Sequence, residues 1–336
     1  MAGPVTDIDP ETDLPTVDEV RAAAGRIAGH AQRTPLLNAA PLDDRAGGRV
    51  LVKAEALQRT GSFKFRGAFN RLSMIPEAER AAGVIACSSG NHAQGVAEAA
   101  RLLGMPATIV MPADAPAIKR ARTIRSGATV VDYDRATENR DAVTRALRDE
   151  LGATLVHPFD DRGVIAGQGT VGLEIVEDCA AAGIRPDLVL VPTAGGGLAG
   201  GIGLAVRDAF PEAELVTVEP VGFDDYARSF AAGERVANER MSGSIADALL
   251  APMPGVRNFA LNRARYAYGV AVNDADLLEA VAAAANELKL ILEPGGAAAL
   301  AAVLTKTVDL KGRTAVVVGS GGNIDPAMLA RALEAG

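Results

Sequence analysis

The sequence predicts an α/β protein of two lobes, with parallel sheets flanked by helices. Three observations predict it. The chain has 336 residues, more than one small core organises. Short apolar runs alternate with helical stretches, a pattern that means parallel strands covered by helices. Glycine-rich turns stand where several of these runs end, as βα units require.

Taken in order, residues 1–15 are rich in Pro and Asp and read as a loose arm. Thr16 then opens a helix, with Glu19 three residues on completing a capping box. A strand is expected at Val50–Ala54. Further apolar runs read as buried strands: Val84–Cys87, Ala107–Met111, Ala128–Asp132, Leu188–Val191, Leu215–Glu219, Gly269–Val272 and Thr314–Val318. Helical stretches between them include Ala93–Leu103, Ala117–Ser126, Thr137–Leu151 and Gly200–Phe210. Three compact βα units fall between residues 80 and 152. The expected division is therefore a small domain at 71–152, inserted in a larger one made of 1–70 and 153–336.

Composition narrows the function. Hydrophobic residues make up 49% and charged residues 23%, ordinary for a globular chain. With 34 basic and 42 acidic residues the net charge is −8. That argues against nucleic acid as a partner, because phosphate backbones call for a basic face. A small anionic ligand needs only a local site. Two cysteines, Cys87 and Cys179, give no disulfide framework and suit a reduced, cytoplasmic setting. The acidic N-terminus lacks the apolar core of a signal peptide. No apolar run approaches the ~20 residues of a membrane span.

Two motifs carry chemistry. The run Leu188–Val191 leads into Pro192-Thr193-Ala194-Gly195-Gly196-Gly197-Leu198, and a helix follows. A glycine loop between strand and helix is an anion site, because bare N–H groups and the helix start face the ligand. Gly195, Gly197 and Gly200 also have dinucleotide-fingerprint spacing, with Glu219 ending the next strand, so a nicotinamide cofactor is an alternative. The second motif is Thr60-Gly61-Ser62-Phe63-Lys64-Phe65-Arg66-Gly67-Ala68, which sets a lysine among glycine, serine and aromatics rather than in a charged surface run.

With its companions, the lysine motif resembles one family. Five ordered pieces carry the resemblance: SFKFRGA around Lys64, SSGNHAQG, AGGGL, EPGGAAA and GSGGN. Together they are similar to the fold-type-II pyridoxal-phosphate enzymes, in the threonine/serine dehydratase and serine racemase branch, over residues 16–334. The resemblance implies a two-domain, tryptophan synthase β-like fold and pyridoxal 5'-phosphate as cofactor. Lys64 would form the Schiff base with the cofactor aldehyde and, once displaced, take the α-proton of the substrate. Phe63 would stand beside it. Gly195, Gly196, Gly197 and Leu198 would hold the phosphate. The family has a fourth glycine where this chain has Ala194, which is strained if that position needs positive φ. Ser320 would meet the ring nitrogen as a neutral partner, and Glu293 would lie beside the ring. Ser88, Ser89, Asn91 and His92 would form the loop that binds the substrate carboxylate. Asn91 would also bond the ring hydroxyl. Ser89 matches the second-face acid/base of racemases, with a helix cap as the plainer reading. His92 reads as scaffold of that loop.

Two further features follow from the resemblance. Glu219, the Phe223 carbonyl and Asp225 match a segment that binds a divalent cation in some members, with an oxygen set suited to Mg²⁺ or Ca²⁺. Arg140 falls near an arginine that meets the second carboxylate of diacids in racemase relatives. A helix-surface arginine paired with neighbouring acids is the alternative. The implied activity is elimination of water and then ammonia from L-threonine or L-serine. Serine racemisation and hydroxyaspartate dehydration are the neighbouring possibilities. The family also implies a homo-oligomer, expected here as a dimer, and a small amino acid as substrate, with no nucleic acid or membrane as partner.

Overall fold

The computed structural model describes residues 13–115 and 117–335; most of the expected N-terminal arm lies outside them. Among these residues run ten strands: β1 (Leu36–Leu37), β2 (Arg49–Ala54), β3 (Val84–Cys87), β4 (Ala107–Pro112), β5 (Thr129–Tyr133), β6 (Thr154–Leu155), β7 (Leu188–Pro192), β8 (Glu214–Pro220), β9 (Tyr268–Val272) and β10 (Thr314–Gly319). They form two sheets, ordered β1-β2-β10-β7-β8-β9 and β5-β4-β3-β6. Only β1 runs antiparallel to its neighbour; the other pairings are parallel.

Period-2 geometry explains why the central strands read as continuous apolar runs. Val50, Val52, Leu188, Leu190, Val216, Val218, Ala315 and Val317 point to one face, where they pack on helices Asp274–Leu288 and Ala298–Leu304. Their neighbours Leu51, Val189, Val191, Leu215, Val316 and Val318 point to the other, against helices Arg162–Ala181 and Gly197–Ala209. A parallel sheet covered on both faces has no polar side to alternate with. The smaller sheet repeats the pattern, with Val84, Ala86, Ile109 and Met111 on one face and Ile85 and Val110 on the other. Its last strand is β6, so it extends to Leu155.

The Thr16–Glu19 capping box forms as expected and starts helix Val17–Ile27. The lysine motif opens helix Lys64–Ser73. That helix crosses Arg162–Ala181 so closely that a Cβ on Gly67 would lie 2.7 Å from the Val164 carbonyl. Only glycine admits this approach, which sets where Lys64 stands relative to the large sheet. The chemistry-bearing loops leave the carboxyl ends of β3, β7, β8 and β10, where parallel sheets place their ligands.

Candidate active site

Lys64 is the first residue of its helix. Its Nζ donates to the Pro158 carbonyl at 2.7 Å and lies 5.2 Å from the Phe63 ring centroid. Burial brings its pKa down from 10.5 to about 8, so the free amine is within reach near neutrality. Just before it, Thr60 has φ 66°, a left-handed conformation that a β-branched residue adopts only under constraint. Behind it, the fully buried Arg66 donates from Nε and Nη2 to Glu55, and from Nη1 and Nη2 to Glu174, all at 2.7–2.9 Å. Lys53 joins Glu174 at 2.7 Å. The buried charges are thus paired on all sides, and they pin the lysine helix to β2 and to helix Arg162–Ala181.

The other motifs close around the lysine. Ser320 donates its N–H to Gly296 at 3.2 Å and accepts from the Phe63 N–H at 3.2 Å, while no described residue hydrogen-bonds its hydroxyl. Ser62 bridges to Gly321, and Glu293 donates its N–H to the Gly321 carbonyl at 3.0 Å. The Glu293 carboxyl accepts from Asn91 Nδ2 at 2.6 Å, and burial raises its pKa from 4.5 to about 7. Asn323 donates to both Asn91 Oδ1 and the Thr60 carbonyl at 2.8 Å. So SFKFRGA, SSGNHAQG, EPGGAAA and GSGGN meet in one ring.

The fifth motif is the glycine loop after β7. Gly196 has φ 93°, and a Cβ there would overlap the Tyr226 hydroxyl. Ala194 does not have positive φ, so the strain considered for it does not arise. The loop carbonyls are occupied from behind. Gly195 O accepts from Asn258 Nδ2 at 2.9 Å, from Gly255 N at 3.0 Å and from the Tyr226 hydroxyl at 3.3 Å. Gly196 O accepts from Gly200 N at 2.8 Å and Asn262 Nδ2 at 3.3 Å. The N–H groups of Gly195 and Gly196 have no acceptor among the described residues, and they precede the start of helix Gly197–Ala209. This cradle fits a phosphate dianion. Phe159 packs against it, and the neighbouring Pro158 carbonyl holds Lys64. Phe159, Asn258, Asn262, Tyr226 and Pro158 were not legible as site residues, because none lies in a recognisable run. Asn323 ends the quoted GSGGN and could have been named.

The serine loop stands at the start of helix Asn91–Leu102. Ser88 and Ser89 are half-buried. The Ser88 hydroxyl accepts from Gly90 N at 3.1 Å. His92 is buried and bonds through Nε2 to the Val156 carbonyl at 2.9 Å. Burial, and then the nearby Lys64 charge, push its pKa down to about 3. A carbonyl partner requires Nε2 to carry the proton, so His92 is a neutral strut.

Away from the ring, Glu219 accepts from Tyr226 N at 2.8 Å and Ala227 N at 3.0 Å. Asp225 accepts from Asn238 at 2.7 Å, while its Oδ2 is buried without a partner. Burial raises both carboxyl pKa values, and the Asp225 charge adds to the rise at Glu219. The described residues contain no cluster of three or more His, Cys, Asp or Glu side chains. Two buried carboxylates with a spare oxygen nonetheless fit a hard cation completed by a carbonyl and water. Arg140 begins helix Arg140–Leu151, half-exposed, with Asp141 3.4 Å away.

An amine-bearing lysine, a phosphate cradle and a neutral hydroxyl on a two-sheet parallel fold define an enzyme that uses an aldehyde cofactor with a phosphate tail. The comparisons agree. The family described as "Pyridoxal-phosphate dependent enzyme" matches residues 27–321. The chain is 43% identical to an L-threo-3-hydroxyaspartate ammonia-lyase from a Pseudomonas species, over 93% of this chain and 96% of that one. Among solved structures, a threonine deaminase from T.th. superposes with TM-score 0.88 at 43% identity, covering 93% of this chain and 99% of that one. Maize serine racemase does so with TM-score 0.89 at 34% identity, covering 96% and 97%. The chain belongs to the pyridoxal-phosphate dependent enzymes, in the branch of ammonia-lyases and serine racemases, and its cofactor is pyridoxal phosphate. The dinucleotide alternative for Gly195, Gly197 and Gly200 falls with that assignment. None of the described helices is long and apolar enough to cross a membrane.

Proposed function

We propose that this enzyme converts L-threonine and/or L-serine to 2-oxobutanoate or pyruvate plus ammonia. The observation that carries the reading is the Lys64 amine, enclosed, desolvated to a pKa of about 8 and held at 2.7 Å by a carbonyl. When bound, pyridoxal phosphate supplies an aldehyde that condenses with amines and a ring that draws electrons from Cα. Gly195, Gly196, Gly197 and Leu198 hold its phosphate through N–H groups. Ser320 offers the ring nitrogen a neutral hydroxyl, which suits elimination over reactions that need a long-lived carbanion. The backbone N–H groups of Ser89 and Asn91 receive the substrate carboxylate at a helix start, since those of Ser88 and Gly90 are given to Val110 and to the Ser88 hydroxyl. Lys64 removes the α-proton as general base. After the β-hydroxyl leaves, the released enamine tautomerises to an imine, and water displaces ammonia from it. Ser89, in the same loop, is the candidate acid/base for racemisation as a side reaction. Glu219, the Phe223 carbonyl and Asp225 are read as protein ligands of a structural Mg²⁺ or Ca²⁺.

A second reading has its own support. Arg140 is exposed and paired with Asp141 at 3.4 Å, as a helix-surface arginine would be, but its charge also acts on Cys87 and Tyr133. It therefore stands near the end of β3 that leads into the serine loop. Released from Asp141, its guanidinium would suit the second carboxylate of 3-hydroxyaspartate, the substrate named for the Pseudomonas relative. The test is keto-acid release from L-threonine, L-serine and 3-hydroxyaspartate by the parent enzyme and Arg140→Ala. Preference for L-threonine or L-serine, unchanged in the variant, supports the first reading. Preference for hydroxyaspartate that falls by ~10-fold or more in the variant, as for loss of a charged hydrogen bond, replaces it with the second. No keto acid from any of the three overturns both.

A further inference from the structure

Tyr226 adds a side-chain link between the carboxylate pair after β8 and the glycine loop after β7, two places whose strands already pair. Its side chain is fully buried and is among the largest that are. Its backbone N–H is bound by Glu219 Oε1 at 2.8 Å, and the next N–H, of Ala227, by Oε2 at 3.0 Å. Its residue neighbour Asp225 holds the unpartnered Oδ2. One side of Tyr226 is thus fastened to the carboxylate pair. At the far end of the same residue, the hydroxyl donates to Gly195 O at 3.3 Å and accepts from Asn262 Nδ2 at 3.2 Å. Asn262 Nδ2 also donates to Gly196 O at 3.3 Å. The ring is fixed sideways by Phe230, with centroids 5.5 Å apart, and Phe230 in turn stacks on Phe259 at 6.2 Å. The residue cannot shift at one end without moving at the other, because interiors are packed without slack. The three bonds at the loop end are long, with room to shorten.

We propose that Tyr226 is a positioning residue that couples a divalent cation at the Glu219–Asp225 pair to the grip of the glycine loop on the cofactor phosphate. A cation between the two carboxylates fixes Glu219 and the first turn of helix Asp225–Ala232. The fixed turn sets the Tyr226 hydroxyl behind Gly195 and Gly196, and this holds their carbonyls back and their N–H groups toward the phosphate. The inference rests on the cation reading of that pair and is independent of which amino acid is the substrate. Coupling of this kind is reciprocal, so the cofactor must tighten the cation by the same factor.

The test uses the full-length holoenzyme. Retention of pyridoxal phosphate is measured by equilibrium dialysis with and without Mg²⁺, and Mg²⁺ binding is measured separately by calorimetry. In the parent, Mg²⁺ tightens the cofactor by ~5-fold or more, the lower end for coupled sites. In Tyr226→Phe, which keeps the ring and removes one oxygen, Mg²⁺ still binds and the factor collapses toward one. Asn262→Ser, which loosens the strut from the loop side, shows the same collapse. The phosphorus resonance of the bound phosphate shifts with Mg²⁺ in the parent and stays still in both variants. A parent that binds Mg²⁺ with unchanged cofactor retention overturns the coupling. Undiminished coupling in Tyr226→Phe overturns the role of Tyr226. A parent that binds no Mg²⁺ removes the cation reading and this inference with it, and leaves the elimination chemistry untouched.

Discussion

Two helix starts carry glycine- and serine-rich motifs in this protein, and they are built differently. The start of Gly197–Ala209 is buried throughout, and every carbonyl of its glycine pair is held from behind by Asn258, Asn262, Tyr226 or backbone. The start of Asn91–Leu102 is half-buried, and its loop is tied by the Ser88 hydroxyl on Gly90, by the Ser88 N–H on Val110 and by the Asn91 side chain between Glu293 and Asn323. In the function proposed above, each presents N–H groups to an anion, the cofactor phosphate at the first and the substrate carboxylate at the second. The first is set before any ligand arrives, as a tightly held cofactor requires, because preorganised donors cost nothing to arrange at binding. The second has room to adjust, as suits a substrate that must enter and leave. The lesson is that permanence of a ligand can be read from the layer behind its donors rather than from the donors.

The largest effect isolates the chemistry of Lys64. Lys64→Ala should lower keto-acid production by at least about 10³-fold, within the range for removing a general base, and erase the absorbance of lysine-linked cofactor. The glycine loop does not contain Lys64, so pyridoxal phosphate should still bind by dialysis. A variant that keeps turnover would break the assignment of Lys64. One that keeps neither turnover nor cofactor would show that the phosphate cradle alone is too weak.

A matched pair of glycine substitutions sharpens the contrast. Gly196→Ala forces a side chain into positive φ and against Tyr226, which costs about 1–3 kcal/mol, or roughly 5- to 100-fold in cofactor affinity. Gly90→Ala meets no atom within 4 Å and has negative φ, so folding stability should change by no more than ~0.5 kcal/mol. Melting curves and cofactor titrations of both variants check this. Equal sensitivity at the two positions would mean that the serine loop is as fixed as the glycine loop.

The sequence carried the near side of this contrast better than the far side. Strand runs such as Val84–Cys87 matched because both faces of a parallel sheet are apolar, so burial and sequence pattern coincide. Lys64, Asn91, Glu293 and Ser320 were found because each sits in a short run of glycine or serine whose backbone the site uses directly. Tyr226, Asn258 and Asn262 were not found. They act through buried side chains on helices distant in sequence from the loop they support, and an asparagine pair four apart looks like any other helix surface. Phe159 and Pro158 were invisible for the same reason, since Pro158 contributes only a carbonyl, which no residue type reveals.

The smallest effect tests the bond that ties the serine-loop helix to Glu293. Glu293 belongs to the cofactor side and accepts from Asn91, the first residue of the serine-loop helix. Burial raises its pKa from 4.5 to about 7, Asn91 opposes the rise, Asp247 adds to it, and Lys119 and Arg122 pull it back. Between pH 4.5 and 7 the folded chain therefore binds a proton that the unfolded chain does not. Stability from this group is present below the lower value and declines as pH rises through the upper one. Glu293→Gln keeps an acceptor for Asn91 and removes the titration. Its free energy of unfolding, from denaturant titrations at a series of pH values, should fall less steeply with pH across that window than the parent's, by at most about 1.4 kcal/mol per pH unit. A slope remains in the variant, because Asp225 and Glu219 are raised in the same direction. Identical slopes in parent and variant would mean that Glu293 stays ionised beside Asn91. The serine-loop helix would then be held by a charged hydrogen bond, and its loop would be less free to move than its exposure suggests.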